Sequence, residues 1–179
     1  KNIHLRGIDY YEKLLTTYSE SSYITLSTLD LPARLKDLNK QLEKNIADAA
    51  KFTEKTKPGK IENNKQEYKR LSEEIAFLQE KVDAGNKIVP LSGTLVLEFG
   101  NTAENIYAGM DEDYRRYQPA ILTWFETANH AFERGAKWQN MGGIENSLDG
   151  GLYNFKSKFN HALNNSLGNS TFLLAHSMA

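Results

Sequence analysis

The chain has 179 residues, a formal net charge of -1 and no cysteine, and its composition is 40% hydrophobic and 25% charged. These values are typical of a soluble globular protein, and they exclude disulfides, a thiolate nucleophile and cysteine metal sites. No apolar run approaches the roughly 20 residues that span a bilayer. The chain opens at KNIHLRGIDYY with neither an initiator methionine nor a signal-peptide apolar segment. We therefore expect a cytoplasmic protein, and a fragment of a longer one.

The first elements are predicted to be a helix and a strand. Residues 7–20 repeat apolar side chains at intervals of 3, 4 and 3 residues, which places Ile8, Tyr11, Leu15 and Tyr18 on one helix face. The next segment, SYITLSTL, is rich in Tyr, Ile and Thr. It predicts a strand from Tyr23 to Leu29.

The segment from Leu31 to Ala84 is charged and follows a heptad-like pattern. Two apolar series run along it, and Pro58-Gly59 breaks the helix between them. The series are Leu31, Leu35, Leu38, Leu42, Asn45, Ala49 and Phe52, and then Tyr68, Leu71, Ile75, Leu78 and Val82. The pattern predicts two antiparallel helices, each on the order of 35 Å long, packed as a coiled-coil hairpin. We predict an inserted helical arm at 31–85.

The remainder of the chain predicts an α+β (or α/β) lobe with a mixed sheet. IVPLSGTLVLEFG and NTAENIYAGM are two strands joined around Gly100-Asn101. A helix runs from Pro119 to Gly135, AKWQNMGG is a further strand, and 150–160 is helical. The predicted buried face of the helix after Pro119 contains Ile121, Phe125, Ala128 and Phe132. The lobe comprises 1–30 and 86–160, the arm interrupts it, and 161–179 is unassigned.

The arm tip, residues 51–70, is the clearest charge feature. It has four more cations than anions on a chain of net charge -1. The cations are Lys51, Lys55, Lys57, Lys60, Lys65, Lys69 and Arg70, and the anions are Glu54, Glu62 and Glu67. Such a tip either grips a nucleic-acid phosphate backbone or is the solvated end of a coiled coil. The charge pattern alone favours the solvated coiled coil.

Two acidic clusters favour structural roles over chemistry. They are Asp111, Glu112 and Asp113, and the helical group Glu126, His130 and Glu133. The first could do acid–base work, but its position favours helix capping. The second could bind a metal, but a solvated helix face is the better interpretation. Since P-loop, GxGxxG, HExxH and GxSxG motifs are also absent from the sequence, we expect neither a metal nor an organic cofactor.

Four further residues have two interpretations each. Arg6 and Tyr10, at i and i+4, either hold a phosphate or carboxylate jointly or form an exposed pair. Tyr107, at the end of a strand, either lines a site or belongs to the core. Lys156 lies behind a glycine-rich loop and beside an apolar seam. It either neutralises an anion or snorkels to solvent.

Two longer motifs resemble a known family. YAGMDEDYRRYQPAILTWFETANHAFERGAKWQNMGGI, followed by DGGLYNFKSKFN, is similar to the second lobe of the peptidoglycan bridge-forming aminoacyltransferases, the FemABX family. The segment from Leu31 to Ala84 is similar to the coiled-coil arm of the FemA branch. GLYNFKSKF is the most specific of these motifs. The sequence departs from the family at Lys158, where glycine is usual, and after Asn160, where we find no alignment.

The resemblance implies two lobes similar to GNAT acyltransferases, of which this chain holds the second and its arm. It implies transfer of an aminoacyl group from aminoacyl-tRNA, the co-substrate, to a stem-peptide amine of lipid II or UDP-MurNAc-pentapeptide. Lys156 then has an electrostatic, catalytic role. Phe155, beside it, binds substrate, as do Arg6, Tyr10 and Tyr107. Lys158 is then a surface charge. We expect this chain to be inactive without the first lobe.

The arm and the activity each have alternatives. The arm either binds tRNA through its tip, forms dimer contacts or docks on the inner membrane surface, and the sequence leaves the oligomeric state open. A non-catalytic tRNA-binding or interaction module on the same scaffold is the first competing hypothesis for the function. An acetyl-CoA-dependent GNAT enzyme is the second. It requires a Q/R-x-x-G-x-G/A pyrophosphate loop, which we do not find in the sequence.

Overall fold

The computed structural model describes residues 6–143 and 149–159, and the backbone of 161–166 and 169–175. The chain divides into two compact units. The sheet unit comprises Lys1–Ser27 and Leu91–Ala179, and the hairpin unit comprises Thr28–Pro90. The division falls inside two strands, so each unit is described by itself. Whether the predicted arm at 31–85 is a domain of its own stays a prediction.

The elements follow the predicted order of helix, strand, two long helices, two strands, helix, strand and helix. Their bounds are α1 Ile8–Thr17, β1 Ser22–Asp30, α2 Leu31–Ala49, α3 Pro58–Asp83, β2 Ile88–Phe99, β3 Thr102–Met110, a 3-10 helix Glu112–Tyr117, α4 Pro119–Glu133, β4 Trp138–Gly143, α5 Gly151–Lys156, β5 His161–Ser166 and β6 Asn169–Ala175. The helix predicted over 150–160 is therefore shorter, and the segment that the sequence left unassigned forms two strands.

The sheet is mixed, which confirms the predicted α+β class. The strand order is β1-β2-β3-β4-β6-β5. β2 and β3 pair antiparallel across the turn at Gly100, whose φ is 60°, a conformation that favours glycine. β3 and β4 pair parallel, whereas β6 runs antiparallel to both β4 and β5. Between Leu95 and Val96 of β2 the register shifts, because β3 carries one extra residue there, Ile106.

One face of the sheet packs against α4 through small and hydroxyl side chains. Thr94 Oγ1 lies 2.7 Å from Thr127 Oγ1, and Thr123 Oγ1 is hydrogen-bonded to the hydroxyls of Ser27 and Ser92. Nearby, the buried side chains Val96, Ala103 and Ala131 form an apolar cluster. Every buried hydroxyl named here has a hydrogen-bond partner, so its burial carries little cost.

The predicted buried face of α4 is wrong in part. The buried residues are Pro119, Thr123, Thr127, Ala128 and Ala131. Phe125, predicted to be in the core, is 50% exposed, and Ile121 and Phe132 are half-buried. Small side chains let the helix approach the sheet closely, and the hydroxyl pairs then fix which face turns inward. A prediction from apolar spacing does not count threonine as a buried residue, so it missed Thr123 and Thr127.

In the hairpin unit, α2 and α3 pack against each other as predicted. α2 starts at Asp30, whose carboxylate accepts a hydrogen bond from the Ala33 N–H at 2.9 Å, with a proline in its first turn. α3 starts at Pro58, where the sequence predicted the break. The buried leucines are Leu31, Leu35, Leu38, Leu71 and Leu78, all members of the predicted series. The helical hairpin is present, whereas regular coiled-coil packing stays a prediction.

Two polar contacts fix the register of the hairpin. Glu74 is buried, and its two carboxylate oxygens accept hydrogen bonds from Arg34 at 2.7 Å and from Arg70 at 2.9 Å. Further along, Asn45 Nδ2 donates to the Asn64 carbonyl at 3.2 Å, and Asn64 Nδ2 donates to the Asn45 carbonyl at 3.1 Å. Because a slip of either helix breaks these pairs, they select one alignment of α2 and α3.

The Glu74 contact predicts an asymmetry between adjacent carboxylates. Glu74→Ala leaves two arginines beside the seam without their shared partner, and we expect it to lower the free energy of unfolding by about 2 kcal/mol. Glu73→Ala is the matched control, since Glu73 is exposed and lies 3.9 Å from Lys69, and we expect a change within about 0.5 kcal/mol. Urea unfolding followed by circular dichroism measures both. Equal effects would contradict a structural role for Glu74.

Candidate functional site

The parallel strands β3 and β4 part at one point in the sheet. Their pairing covers Thr102–Glu104 against Trp138–Asn140, after which β3 continues to Met110 and β4 to Gly143. We call this parting of the two strands the fork. At its base, on the α4 face, Gln139 Nε2 donates to Asn105 Oδ1 at 2.7 Å. The two strand ends beyond the fork carry or adjoin the five predicted site residues that lie outside the arm tip.

On the face opposite α4, the structure brings Arg6, Tyr10 and Tyr107 together. Tyr107 Oη donates to Tyr10 Oη at 3.3 Å, and the two rings meet edge to face. Its contact with Tyr107, followed by desolvation, raises the pKa of Tyr10 above its ordinary value. Arg6 precedes α1, and its guanidinium carbon lies 4.9 Å from the centroid of the Tyr10 ring. A guanidinium and two phenol hydroxyls form a group that can bind a phosphate or carboxylate.

An apolar cavity of about 280 Å³ adjoins this tyrosine group. Tyr107 lines it together with Ile8, Tyr11 and the backbone at Gly93 and Gly109. The ring of Tyr107 also packs edge to face on Tyr11, with 5.2 Å between centroids. Tyr107 is therefore both a packed aromatic and a cavity-lining residue, which combines the two interpretations that its position in the sequence allowed.

On the α4 face, Lys156 of α5 is held at the end of β4. The residue is 4% exposed, and its Nζ donates to the carbonyls of Gly142 at 3.0 Å and Gly143 at 2.6 Å. Nζ also lies 5.7 Å from the centroid of the Trp124 ring. The ammonium is thus directed at backbone carbonyls and not at open solvent. This geometry opposes the snorkelling interpretation, and the catalytic role of Lys156 stays a prediction.

Trp124 is a site residue that the sequence interpretation missed. Its ring meets the Phe155 ring edge to face at 5.5 Å, and Phe155 in turn contacts Phe159 at 5.7 Å. The rings of Trp124 and Phe155 pack against the buried side chains of Met141 and Phe159. Trp124 follows Ile121 by three residues and precedes Ala128 by four, so its place on the inner face of α4 was visible in the helical spacing.

The arm-tip cations are exposed, and some of them are already paired. Lys51 contacts Asp48 at 2.8 Å, Lys69 lies 3.9 Å from Glu73, and Arg70 contacts Glu67 at 2.7 Å as well as Glu74. The other four cations, Lys55, Lys57, Lys60 and Lys65, are exposed. Their role in binding tRNA stays a prediction.

The second acidic cluster lines a cavity instead of forming a metal centre. Glu126, His130 and Glu133 border a space of about 420 Å³ beside β1, together with Tyr23. Within residues 6–143 and 149–159, no group of three or more His, Asp or Glu side chains has the geometry to hold a metal ion. In the first cluster, Asp111 accepts a hydrogen bond from the Asp113 N–H at 3.0 Å, as the capping interpretation predicts.

Among the described helices, none has the length and apolar character needed to cross a bilayer.

Comparison with known proteins identifies the family. A model of the FemAB family matches residues 1–175. The chain belongs to the FemAB family. The resemblance seen in the sequence is confirmed, and the match extends through 161–175, where the sequence alone gave no alignment. The strands β5 and β6 therefore lie within the FemAB match.

Individual relatives give the extent of the likeness. The chain is 22% identical over 183 residues to the lipid II:glycine glycyltransferase of Staphylococcus haemolyticus (strain JCSC1435), over 94% of this chain and 44% of that protein. The crystal structure of FemX superposes with a TM-score of 0.55 at 21% identity, over 87% of this chain and 42% of FemX. The chain thus shares the FemX fold and spans less than half the length of either relative.

A PaiA N-acetyltransferase from Thermoplasma acidophilum, in complex with coenzyme A, is also similar. It has 12% identity and a TM-score of 0.41, over 86% of this chain and 99% of that one.

The left-handed backbone conformation of Gly142 predicts that this position is intolerant of a side chain. Its φ is 76°, and a Cβ there would lie 3.7 Å from Lys156 Nζ. We expect Gly142→Ala to lower the free energy of unfolding by about 1–2 kcal/mol. Gly109→Ala is the control, because Gly109 has open space around it. Thermal unfolding compares the two, and a neutral Gly142→Ala would contradict the requirement for a left-handed conformation at the end of β4.

Proposed function

We propose that the protein to which this chain belongs transfers an aminoacyl group from aminoacyl-tRNA to a stem-peptide amine of a peptidoglycan precursor. The FemAB family match and the name of the S. haemolyticus relative support this reaction class. The observation that carries it furthest is the arrangement of side chains around the fork. Arg6, Tyr10 and Tyr107 lie on one face of the sheet, and Lys156 with Phe155 lies on the other.

The face with Arg6, Tyr10 and Tyr107 suits the acceptor. Lipid II and UDP-MurNAc-pentapeptide both carry a diphosphate next to the muramyl sugar, and a guanidinium with two hydroxyls matches such a group. The apolar cavity beside Tyr107 would take an uncharged part of the same molecule. In this proposal the three residues bind and orient the acceptor and take no part in proton transfer.

The face with Phe155 and Lys156 suits the donor. In the reaction, the acceptor amine attacks the ester carbonyl of aminoacyl-tRNA, a C–N bond forms and the ester C–O bond breaks. The amine loses a proton, and the departing ribose oxygen gains one. In the tetrahedral intermediate between these two events, the carbonyl oxygen is negatively charged. A lysine ammonium nearby stabilises that charge. Much of the remaining rate enhancement comes from holding two substrates together, which needs no nucleophilic side chain and no cofactor.

Transfer by the intact protein tests the proposal. We expect transfer from charged tRNA to lipid II or to UDP-MurNAc-pentapeptide, and a loss of about 10²-fold or more in Lys156→Ala, because an oxyanion donor is removed. Lys158→Ala is the matched control, since this exposed lysine lies two residues away, and its rate with the soluble acceptor should stay unchanged.

A second comparison separates a loss of catalysis in Lys156→Ala from a loss of stability. Lys156→Ala also leaves the Gly142 and Gly143 carbonyls without the ammonium, so its thermal stability is measured alongside. Gly142→Ala disturbs the same strand end while keeping the lysine. A folded Lys156→Ala variant that transfers at the wild-type rate would remove Lys156 from the mechanism. Absence of transfer by wild type, together with retained tRNA binding, would favour the non-catalytic tRNA-binding module.

We also propose that the arm tip contacts the tRNA backbone. The triple change of Lys55, Lys57 and Lys65 to Gln should lower tRNA affinity about tenfold or more and reduce the salt dependence of binding, because each lost phosphate contact removes about one unit of log–log slope. The same change at Lys36, Lys40 and Lys44, exposed lysines of α2, is the control. Filter binding over a salt series measures both variants. Equal losses of tRNA affinity in the two triple variants would contradict the arm-tip site.

The protein is proposed to work in the cytoplasm, where charged tRNA is present. The relative's name specifies lipid II and glycine for that protein. For the present protein, the paired assays with lipid II and UDP-MurNAc-pentapeptide decide the form of the acceptor. The same assays with tRNAs charged with different amino acids decide the aminoacyl group.

A further inference from the structure

An apolar groove of about 540 Å³ lies at the start of α4 and reaches Phe159, and neither Lys156 nor Arg6, Tyr10 or Tyr107 lines it. Its floor is formed by Tyr117, Ile121, Leu122 and Phe125, with Arg116 and Lys158 also lining it. Leu122 is 56% exposed and Phe125 is 50% exposed, so large apolar side chains face outward here. An exposed apolar patch with charged borders is typical of a docking surface.

The backbone at this position is held in an uncommon conformation. Gln118 has φ 48° and ψ 45°, the left-handed region, between the 3-10 helix and α4. Pro119 then fixes the first turn of α4. The turn keeps Arg116 and Tyr117 beside Leu122 and Phe125, so the apolar and cationic parts of the groove form one surface.

The two charged side chains that the described part of the chain contributes to the groove are both cations. Arg116 and Lys158 come from different elements, are both exposed, and line the same groove, while none of the described residues that line it is acidic. The nearby Glu112 lies 3.4 Å from Arg115 and outside the groove. The cavity beside β1 has the opposite character, with Glu126 and Glu133 in its wall. The groove therefore complements a ligand that is apolar and anionic at once.

We propose that this groove docks the protein on an anionic phospholipid surface. Leu122 and Phe125 would insert at the boundary between headgroups and acyl chains, with Tyr117 at headgroup level. Arg116 and Lys158 would contact the lipid phosphates while their aliphatic stems cover apolar surface. A nucleic-acid backbone would leave Leu122 and Ile121 exposed, so the apolar floor favours lipid. The proposal goes beyond the transfer reaction and stands or falls independently of it.

Vesicle co-sedimentation of the intact protein tests the site. We expect binding to phosphatidylcholine vesicles that contain phosphatidylglycerol and much weaker binding to phosphatidylcholine alone. Phe125→Ser should weaken binding about tenfold, because apolar contact is lost. Phe99→Ser is the matched control: Phe99 is 90% exposed and lies outside the groove. Lys158→Gln should weaken binding to the anionic vesicles about fivefold, and Lys137→Gln, at another exposed lysine, should not.

Three outcomes would overturn the inference: equal binding to both kinds of vesicle, no binding to either, or equal effects of Phe125→Ser and Phe99→Ser. Two results together would identify the groove as a nucleic-acid surface instead. Uncharged tRNA would release the protein from the vesicles, and Lys158→Gln would lower its affinity for tRNA. Circular dichroism confirms that each variant is folded, and Leu122→Ser provides a second apolar change. Transfer to the soluble acceptor should persist in all groove variants, so failure of this proposal is distinguishable from failure of the transfer proposal.

Discussion

A lysine ammonium buried at the end of β4 ties three parts of the sheet unit together. Lys156 brings α5 to the carbonyls of Gly142 and Gly143, and its charge also lies above the ring of Trp124 on α4. A buried cation is stable only where acceptors surround it, so the strand end must present its carbonyls to α5. The left-handed conformation of Gly142 accompanies that arrangement. Any chemistry at Lys156 therefore depends on the backbone of β4.

The fork in the sheet supplies the second constraint. Since β3 and β4 pair only over three residues each, their ends are not joined by a hydrogen-bond ladder. The side chains beyond that point divide between the two faces of one sheet. In the proposed two-substrate reaction, the parted sheet would give each substrate a surface of different chemistry.

The β-bulge at Ile106 determines what Tyr107 can do. Before the bulge, Ala103 and Asn105 face α4, and strict alternation would turn Tyr107 to the same side. The extra residue reverses the alternation, so Tyr107 instead meets Tyr10 and Tyr11 of α1. A similar trade occurs on α4, where threonines occupy the sheet-facing side and Leu122 and Phe125 are left exposed. In both places a local departure from the simple pattern determines which side chains line a cavity or a groove.

The sequence by itself determined the elements whose signals are local. Heptad spacing and Pro58-Gly59 specified the two helices of the hairpin, and Gly100-Asn101 specified the β2–β3 turn. YAGMDEDYRRY, GLYNFKSKF and the inserted arm together carried the resemblance to the family. The tertiary structure decided the rest: the burial of Lys156, the side of the sheet that Tyr107 faces, the inward side of α4, and the addition of β5 and β6 to the sheet. Each of these depends on hydrogen bonds or packing between segments distant in the chain, such as Lys156 with Gly142 or Thr94 with Thr127. Periodicity reports how a segment folds on itself, whereas partners of this kind are selected only when the whole sheet and its helices come together.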